Sequence, residues 1–276
     1  MIAIPRLPEG DEPYGTAELF PRYEDITQDG RIAVTALMSG IGASAWRAMQ
    51  GKVDATAFGR EGILPILRRV VLVGEPGPIS VNAKIAYSGT WRFAREKGGE
   101  RLFLNMWMEA RAPIGTSYGP PLPPDAPRVV VGRVFAEHVV TKPFASSPAE
   151  RKVTRLPAGT GLPEIPSLEH AFEPAEALVA DAKLDEIGDA QFGMMHTDSN
   201  QHVNSLVYPR VFQEALVRQV EDPKLLARAI EMRWRKPFFA GDRAILRACQ
   251  RGASWVGTFA PPGADKISCA IAATLG

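Results

Sequence analysis

Between Met194 and Leu216 the chain reads MMHTDSNQHVNSLVYPRVFQEAL. Asp198, Asn200, His202 and Asn204 alternate at every second residue, just ahead of a segment with helical spacing. A turn uses one Asn or Asp to accept local backbone hydrogen bonds. If this segment is extended, all four side chains project from one face. Tyr208-Pro209 then reads as a helix entry, because proline is tolerated at the first helical position. Val211, Phe212, Leu216 and Val220 follow at roughly helical intervals. A carboxylate in such a row can activate water or attack directly. A carboxamide and an imidazole can orient and polarise. N–H groups at the helix N-terminus can stabilise negative charge developing on a carbonyl oxygen. Those parts suit hydrolysis of an activated acyl group.

Other candidate groups read more simply. His196 and His202 lie six apart and off any helix, which is not a zinc-protease spacing, so no metal is expected. There is no Gly-x-Ser-x-Gly elbow for a serine nucleophile. Gly40-x-Gly42-x-x-Ala45 spells a dinucleotide-binding pattern, but that pattern needs a β-α-β unit around it. The runs that follow look like a meander of strands, so the two glycines read as helix residues that permit close packing or leave room for a ligand. His138 sits in an alternating strand and reads as a packed or surface histidine. The five tryptophans read as core or pocket lining.

These elements belong to a chain of ordinary composition. It has 276 residues, 45% hydrophobic and 23% charged, with a net charge of +1. That balance gives no footprint for nucleic acid or a membrane surface. The run RIAVTALMSGIGASAW is too short and too rich in Ser, Thr and Gly to span a bilayer. No signal or transit peptide is read at the N-terminus. Cys249 and Cys269 lack metal-ligand spacing, and a reduced, cytoplasmic chain is the simplest reading, with pairing left open. No cofactor is expected.

The order of elements is a helix and then several strands, twice. A helical run ends near Gly51, and strand-like runs RRVVLVG, ISVNAKIAYSGTW, RLFLNMWMEA and VVVGRVFAEHVV follow. The Pro/Gly-rich stretch 112–127 separates the last two as a loop. After the helix at Pro209 come AIEMRWRKPF, DRAILRACQ, SWVGTFAP and KISCAIAATL. The expected class is α+β, each half a helix wrapped by an antiparallel sheet. No short repeat is evident.

DSNQHVNSLVY resembles the active-site segment of the plant and bacterial fatty acyl-ACP thioesterases, with its Asp-x-Asn-x-His-Val-Asn-x-x-x-Tyr pattern. YEDITQDGRIAVTALMSGIGASAWRAM and RVFAEHVVTKPFASSPAERK resemble other parts of that family, in the right order. The resemblance implies a double hotdog: an N-terminal hotdog over residues 1–145, a connector over 146–175 and a C-terminal hotdog over 176–276. It implies hydrolysis of a fatty acyl thioester carried by acyl carrier protein or coenzyme A, in a soluble protein for which a homodimer is compatible. Asp198, Asn200 and His202 match the family's functional residues, with Asp198 as base or nucleophile. Asn204 and Tyr208 complete the motif as substrate-binding positions. Met38, Trp46 and Met49, on or near the first helix, become candidate linings of an acyl tunnel, with Trp46 limiting its length.

One departure from the family matters. Where it has a catalytic Glu on the strand after the second helix, EMRWRKPF places Lys236, or Arg235 if the alignment slips by one, and Pro237 replaces a neighbouring cysteine. Glu231, five residues before Lys236, faces the other way on an unbroken strand and cannot replace that acid. Glu214, on the helix, is the expected substitute, since other hotdog thioesterases place their acid there. Lys236 is expected to face the pocket. The alternatives to hydrolysis are an acyl-thioester-binding protein that has lost the acid, and a lyase acting on a β-hydroxyacyl thioester.

Overall fold

The computed structural model describes residues 2–7, 9, 14–222 and 225–276. The chain divides into two compact units, one built from Ile4–Arg68 and Gly74–Phe172, the other from Arg69–Val73 and Glu173–Gly276 with a few N-terminal residues. The strands in chain order are β1 (Gly15–Leu19), β2 (Leu64–Gly74), β3 (Ile85–Glu96), β4 (Leu102–Pro113), β5 (Arg128–Thr141), β6 (Glu169–His170), β7 (Asp185–Gln191), β8 (Ala227–Trp234), β9 (Arg243–Arg251), β10 (Ser254–Ala260) and β11 (Cys269–Leu275).

In the first unit β1, β3, β4 and β5 pair antiparallel in that order, and β6 adds a short parallel pairing to the end of β3. A continuous helical run over 34–50 lies against this sheet. It opens as a tight 3-10 turn, contains a π segment at Gly42–Trp46, and ends at Gly51. Leu37, Ile41, Ala45 and Met49 recur every four residues and are buried. Met49 is therefore part of this core stripe. Met38 and Trp46 lie off it and are partly exposed, with Trp46 edge-on to His138 at 5.4 Å.

Gly40 explains the glycine pattern. A Cβ there would sit 2.2 Å from the Tyr87 ring of β3, whereas one at Gly42 would meet nothing within 4 Å. The first glycine permits close packing of helix on sheet. It stands within a helical run that leads to antiparallel strands, so the β-α-β context of a dinucleotide site is absent from the described residues of this unit.

In the second unit Arg69–Val73, β8, β11, β10, β9 and β7 pair antiparallel in that order. The helix Val207–Val220 buries Tyr208, Pro209, Phe212, Ala215 and Leu216. Gly257 of β10 lets Phe212 approach, since a Cβ there would lie 2.7 Å from the ring. The helix begins two residues before Pro209, which still falls in the first turn, where its missing N–H costs little. Val220 is exposed rather than part of the buried face, because the chain turns left-handed at Glu221.

The strands expected from sequence are present with changes at their ends, the largest at β3, which starts at Ile85 rather than Ile79 and runs on to Glu96. β1 and β7 lie outside those expectations. GTAEL and DEIGDAQ carry too many small and charged residues to stand out, and they pair to one neighbour only. Both cysteines are free, and no helix among the described residues is long and apolar enough to cross a membrane.

Two outcomes follow from this packing. Gly40→Ala forces helix from sheet and is expected to cost about 1–3 kcal/mol, while Gly42→Ala is neutral or stabilising by up to about 1 kcal/mol; urea midpoints at constant slope compare them. His138 is buried with its Nδ1 3.2 Å from the Leu104 carbonyl oxygen, and burial pushes its pKa down from 6.5 to about 4. Below pH 6.5 the unfolded chain takes up a proton that the folded one refuses until about pH 4. Stability is therefore lost as pH falls from 6.5 to about 4, by up to about 1.4 kcal/mol per unit. His138→Gln is expected to flatten this slope in melting curves between pH 7 and pH 4, and an unchanged slope would refute the assignment.

Candidate active site

The polar row is not extended. Residues 198–202 form a tight hairpin: Asp198 N–H donates to the His202 carbonyl at 3.0 Å, and Gln201 N–H to the Asp198 carbonyl at 2.9 Å. Gln201 takes a left-handed φ of 64°, and Thr197 bridges Val203 at the neck. The single-face expectation is thus corrected. Asp198 and His202 stand opposite each other across the hairpin, paired through the backbone. Asn200 stands at the tip, and its N–H donates to Asp198 Oδ1 at 2.9 Å.

His196 belongs to the scaffold, since its Nδ1 accepts the Gly193 N–H at 3.0 Å. Asn204 also does structural service. Its Oδ1 accepts the Leu206 N–H at 2.9 Å and its carbonyl accepts the Val207 N–H at 2.9 Å. Together with Pro209, which has no N–H, this uses up donors that the helix terminus was expected to offer a carbonyl oxygen.

The first unit builds the same hairpin from different residues. Thr27 N–H donates to the Arg31 carbonyl at 2.8 Å, Gly30 N–H to the Thr27 carbonyl at 2.9 Å, and Ala33 N–H to the Asp25 carbonyl at 2.8 Å. The counterpart of the last bond runs from Asn204 N–H to the His196 carbonyl, also at 2.8 Å. Ile26 bridges Ile32, and Gly30 has a φ of 82° where Gln201 has 64°. Asp25 accepts the Arg22 N–H just as His196 accepts that of Gly193. Thr27, Asp29 and Arg31 thus occupy the places of Asp198, Asn200 and His202.

The two sets of side chains differ in what they hold. In the first unit Asp29 is bound by the Thr27 hydroxyl and the Arg31 guanidinium. Burial opposes ionisation of its carboxyl, yet the bonds from Arg31 and Thr27 and the charge of Arg31 bring it down to about 2. In the second unit the His202 ring and the Asn200 carboxamide make no hydrogen bond among the described residues, and Asp198 accepts only its local one. His202 and Asp198 are partly exposed and Asn200 is exposed. The duplicated backbone separates scaffold from chemistry: Asp198, Asn200 and His202 are the uncommitted groups. The matched spacing of Thr-x-Asp-Gly-Arg and Asp-x-Asn-x-His ahead of each helix carried this signal.

Sequence reasoning missed Phe238 and Phe239. The Val203 N–H donates to the Phe238 carbonyl at 2.8 Å, Phe239 bridges His202, and the two rings meet edge to face at 5.2 Å. Tyr208 is buried among Phe192, Trp234, Phe238 and Phe259, and its hydroxyl accepts the Phe238 N–H at 3.3 Å. Burial, then the nearby Cys269, pushes its phenol pKa well above the ordinary value.

Lys236 is exposed. The N–H groups of Arg235 and Lys236 both reach the Ser268 carbonyl, at 2.7 and 3.2 Å, so an extra residue enters here and strand parity no longer runs from Glu231 to Lys236. Glu231 is engaged elsewhere, paired with Arg69 at 2.8 Å and Arg233 at 2.7 Å. Glu214 stands on the exposed flank of the helix, about 10 Å along its axis from Val207. It makes no hydrogen bond or ion pair among the described residues. Met38, Trp46 and Met49 belong to the first unit. Among the described residues no group of three or more His, Cys, Asp and Glu is arranged to hold a metal ion.

No family model matches the chain, and no curated protein matches it in sequence. Solved structures do resemble it. An acyl-ACP thioesterase from Bacteroides thetaiotaomicron superposes with a TM-score of 0.65 at 12% identity, covering 95% of this chain and 98% of that one. The 12:0-ACP thioesterase from Umbellularia californica gives 0.57 at 13% identity, covering 95% and 97%. The peroxisomal multifunctional enzyme type 2 from Drosophila melanogaster gives 0.54 at 12% identity, covering 95% of this chain and 48% of that one. At such identities the likeness shows the fold: this is a hotdog-fold chain, helix against antiparallel sheet.

The duplicated hairpin makes its own prediction. Gln201→Gly removes a left-handed side-chain residue and is expected to be neutral or to gain up to about 1 kcal/mol. Gly30→Gln adds that strain, and its Cβ would press on Pro78 at 2.7 Å. A loss of about 2 kcal/mol or more is expected. Melting temperatures of the two variants should move in opposite directions or differ by several degrees, and equal shifts would contradict the equivalence.

Proposed function

We propose that the chain is a double hotdog that hydrolyses fatty acyl thioesters of acyl carrier protein or coenzyme A, with the working site on the second unit. One observation carries this reading. The same hairpin is built twice, and among the described residues only the second copy leaves a carboxylate, a carboxamide and an imidazole without side-chain hydrogen bonds. The fold that the chain shares with acyl-ACP thioesterases supports the substrate class.

In the proposed step Asp198 takes a proton from water while the water oxygen bonds to the thioester carbonyl carbon. The Asn200 carboxamide and the His202 ring donate to the carbonyl oxygen as it gains charge. The tetrahedral adduct then collapses, the C–S bond breaks, and the thiolate leaves as free thiol once protonated. Attack by Asp198 itself, through an acyl anhydride that water opens, uses the same groups. The thiolate takes the proton that Asp198 removed from water, or takes one from Glu214 or solvent while Asp198 returns its own to solvent. Tyr208 and Asn204 support the site through the backbone. Met38 and Trp46, both partly exposed on the helical run of the first unit, are proposed as acyl contacts of that unit, while Met49 is buried in its core. Lys236 has no place in the step.

Thiol release from a panel of acyl-ACP and acyl-CoA substrates tests the reading. Wild type is expected to release thiol and free acid. Asp198→Asn keeps the acceptor for the Asn200 N–H, so turnover should fall by at least about 100-fold with melting unchanged. Binding without thiol release would point to a non-hydrolytic carrier protein. Loss of water from a β-hydroxyacyl thioester, with the thioester intact, would point to a lyase.

A further inference from the structure

Three features converge on the imidazole of His202 from the side away from Asp198. Phe239 lies against it, edge to face, at 5.2 Å, although half of the Phe239 side chain remains open to solvent. The backbone of Phe238–Phe239 pairs with the hairpin arm through Val203 N–H and the His202–Phe239 bridge. That short segment is held at both ends. On one side the buried Tyr208 hydroxyl accepts the Phe238 N–H, and on the other Asp242 Oδ2 accepts the Phe239 N–H at 2.9 Å.

We infer that Tyr208 is a positioning residue for the proposed hydrolysis: its hydroxyl, through Phe238 and Phe239, fixes the orientation of the His202 ring. This rests on the thioesterase reading for its kinetic consequence but not for its geometry. The His202 ring makes no hydrogen bond of its own among the described residues, so its contact with Phe239 is what orients it. The orienting partner that a catalytic imidazole commonly finds in a carboxylate or carbonyl is here an aromatic edge. That edge is placed by the backbone, and the backbone is placed by a phenol in the core. The choice of tyrosine at a core position needs such a reason. A phenylalanine ring there would fill nearly the same volume without a polar atom to satisfy, while tyrosine costs desolvation unless its hydroxyl is used. Removing the hydroxyl leaves the buried Phe238 N–H without its acceptor, and the segment loosens where it touches His202.

Tyr208→Phe, Phe239→Leu and Phe239→Trp test this in the full chain. The first readout is the NMR signal of the His202 ring, assigned by its loss in His202→Gln. An adjacent aromatic edge shifts that signal, and a loosened ring broadens it. Tyr208→Phe and Phe239→Leu are expected to move or broaden the signal, while Phe239→Trp keeps it near its wild-type position. The second readout is turnover. Loss of orientation is expected to lower kcat about tenfold, with KM within about twofold for Tyr208→Phe. An unchanged His202 signal in Tyr208→Phe would overturn the inference whatever Phe239→Leu shows, as would an unchanged kcat in Tyr208→Phe when wild type is active. If wild type releases no thiol, the proposed function fails, and the NMR readout still decides the positioning. If Tyr208→Phe does not fold, a fluorinated tyrosine at position 208, whose hydroxyl is a weaker acceptor for the Phe238 N–H, is read in its place, and an unchanged His202 signal there overturns the inference.

Discussion

The second unit depends on one backbone constraint: a five-residue reversal pinned by the Asp198 N–H to the His202 carbonyl, immediately before a helix. The hairpin fixes where two side chains stand before any side-chain interaction is made. It brings residues four apart in sequence to opposite sides of a narrow neck, which neither a helix nor a strand would do at that spacing. Asn204 then ends the hairpin and starts the helix in the same residue, by accepting two N–H groups. The helix in turn buries Phe212 against Gly257, so the hairpin is anchored to the sheet through the helix that follows it.

That the first unit repeats the reversal with Thr27, Asp29 and Arg31 shows how little of it is chemical in origin. The bonds that define it are all between backbone groups, and each side chain along it is free to vary. The first copy uses that freedom to close on itself, with Asp29 gripping Arg31. The second accepts a left-handed glutamine, about 1 kcal/mol less favourable than glycine there, and leaves its polar groups open. The neighbouring segments differ in the same sense. Against the first hairpin lies Ile79, which is buried and bridges Ile114 at the start of the long Pro/Gly-rich loop. Against the second lies Phe239, half exposed, because the connection from β10 to β11 is short and makes no such bridge among the described residues.

How much of this could be read from the residues follows from the range of each interaction. The helices, the long strands and the class of fold were legible because they rest on local periodicity. β1 and β7 were not, because an edge strand is defined by its one partner and can be nearly any sequence. Asp198, Asn200 and His202 were legible as a group by their types, but the argument for a shared face assumed an extended chain. The left-handed residue that breaks that assumption is a glutamine, which gives no turn signal, whereas Gly30 does. Phe239 was invisible for a different reason. It lies far along the chain and meets His202 only because the chain leaving β8 returns past the hairpin.

The same range argument explains why strand parity could not be carried from Glu231 to Lys236. Parity along a strand holds only while every residue is paired, and at Arg235 and Lys236 two N–H groups share the Ser268 carbonyl. Just before that point the outer face of β8 is tied down by charge. Arg233 reaches Glu231 at 2.7 Å and Glu173 at 2.6 Å, and Arg235 reaches Glu176 at 3.5 Å. Arg233 is almost wholly enclosed, so its pairing with Glu231 acts where screening is weak, whereas Glu173 and Glu176 are half exposed and add less. These pairs hold the segment after Phe172 against β8. An acid at Arg235 would face Glu176 instead of pairing with it, and one at Lys236 would stand in solvent, as the lysine does. Basic residues therefore fit this stretch for structural reasons.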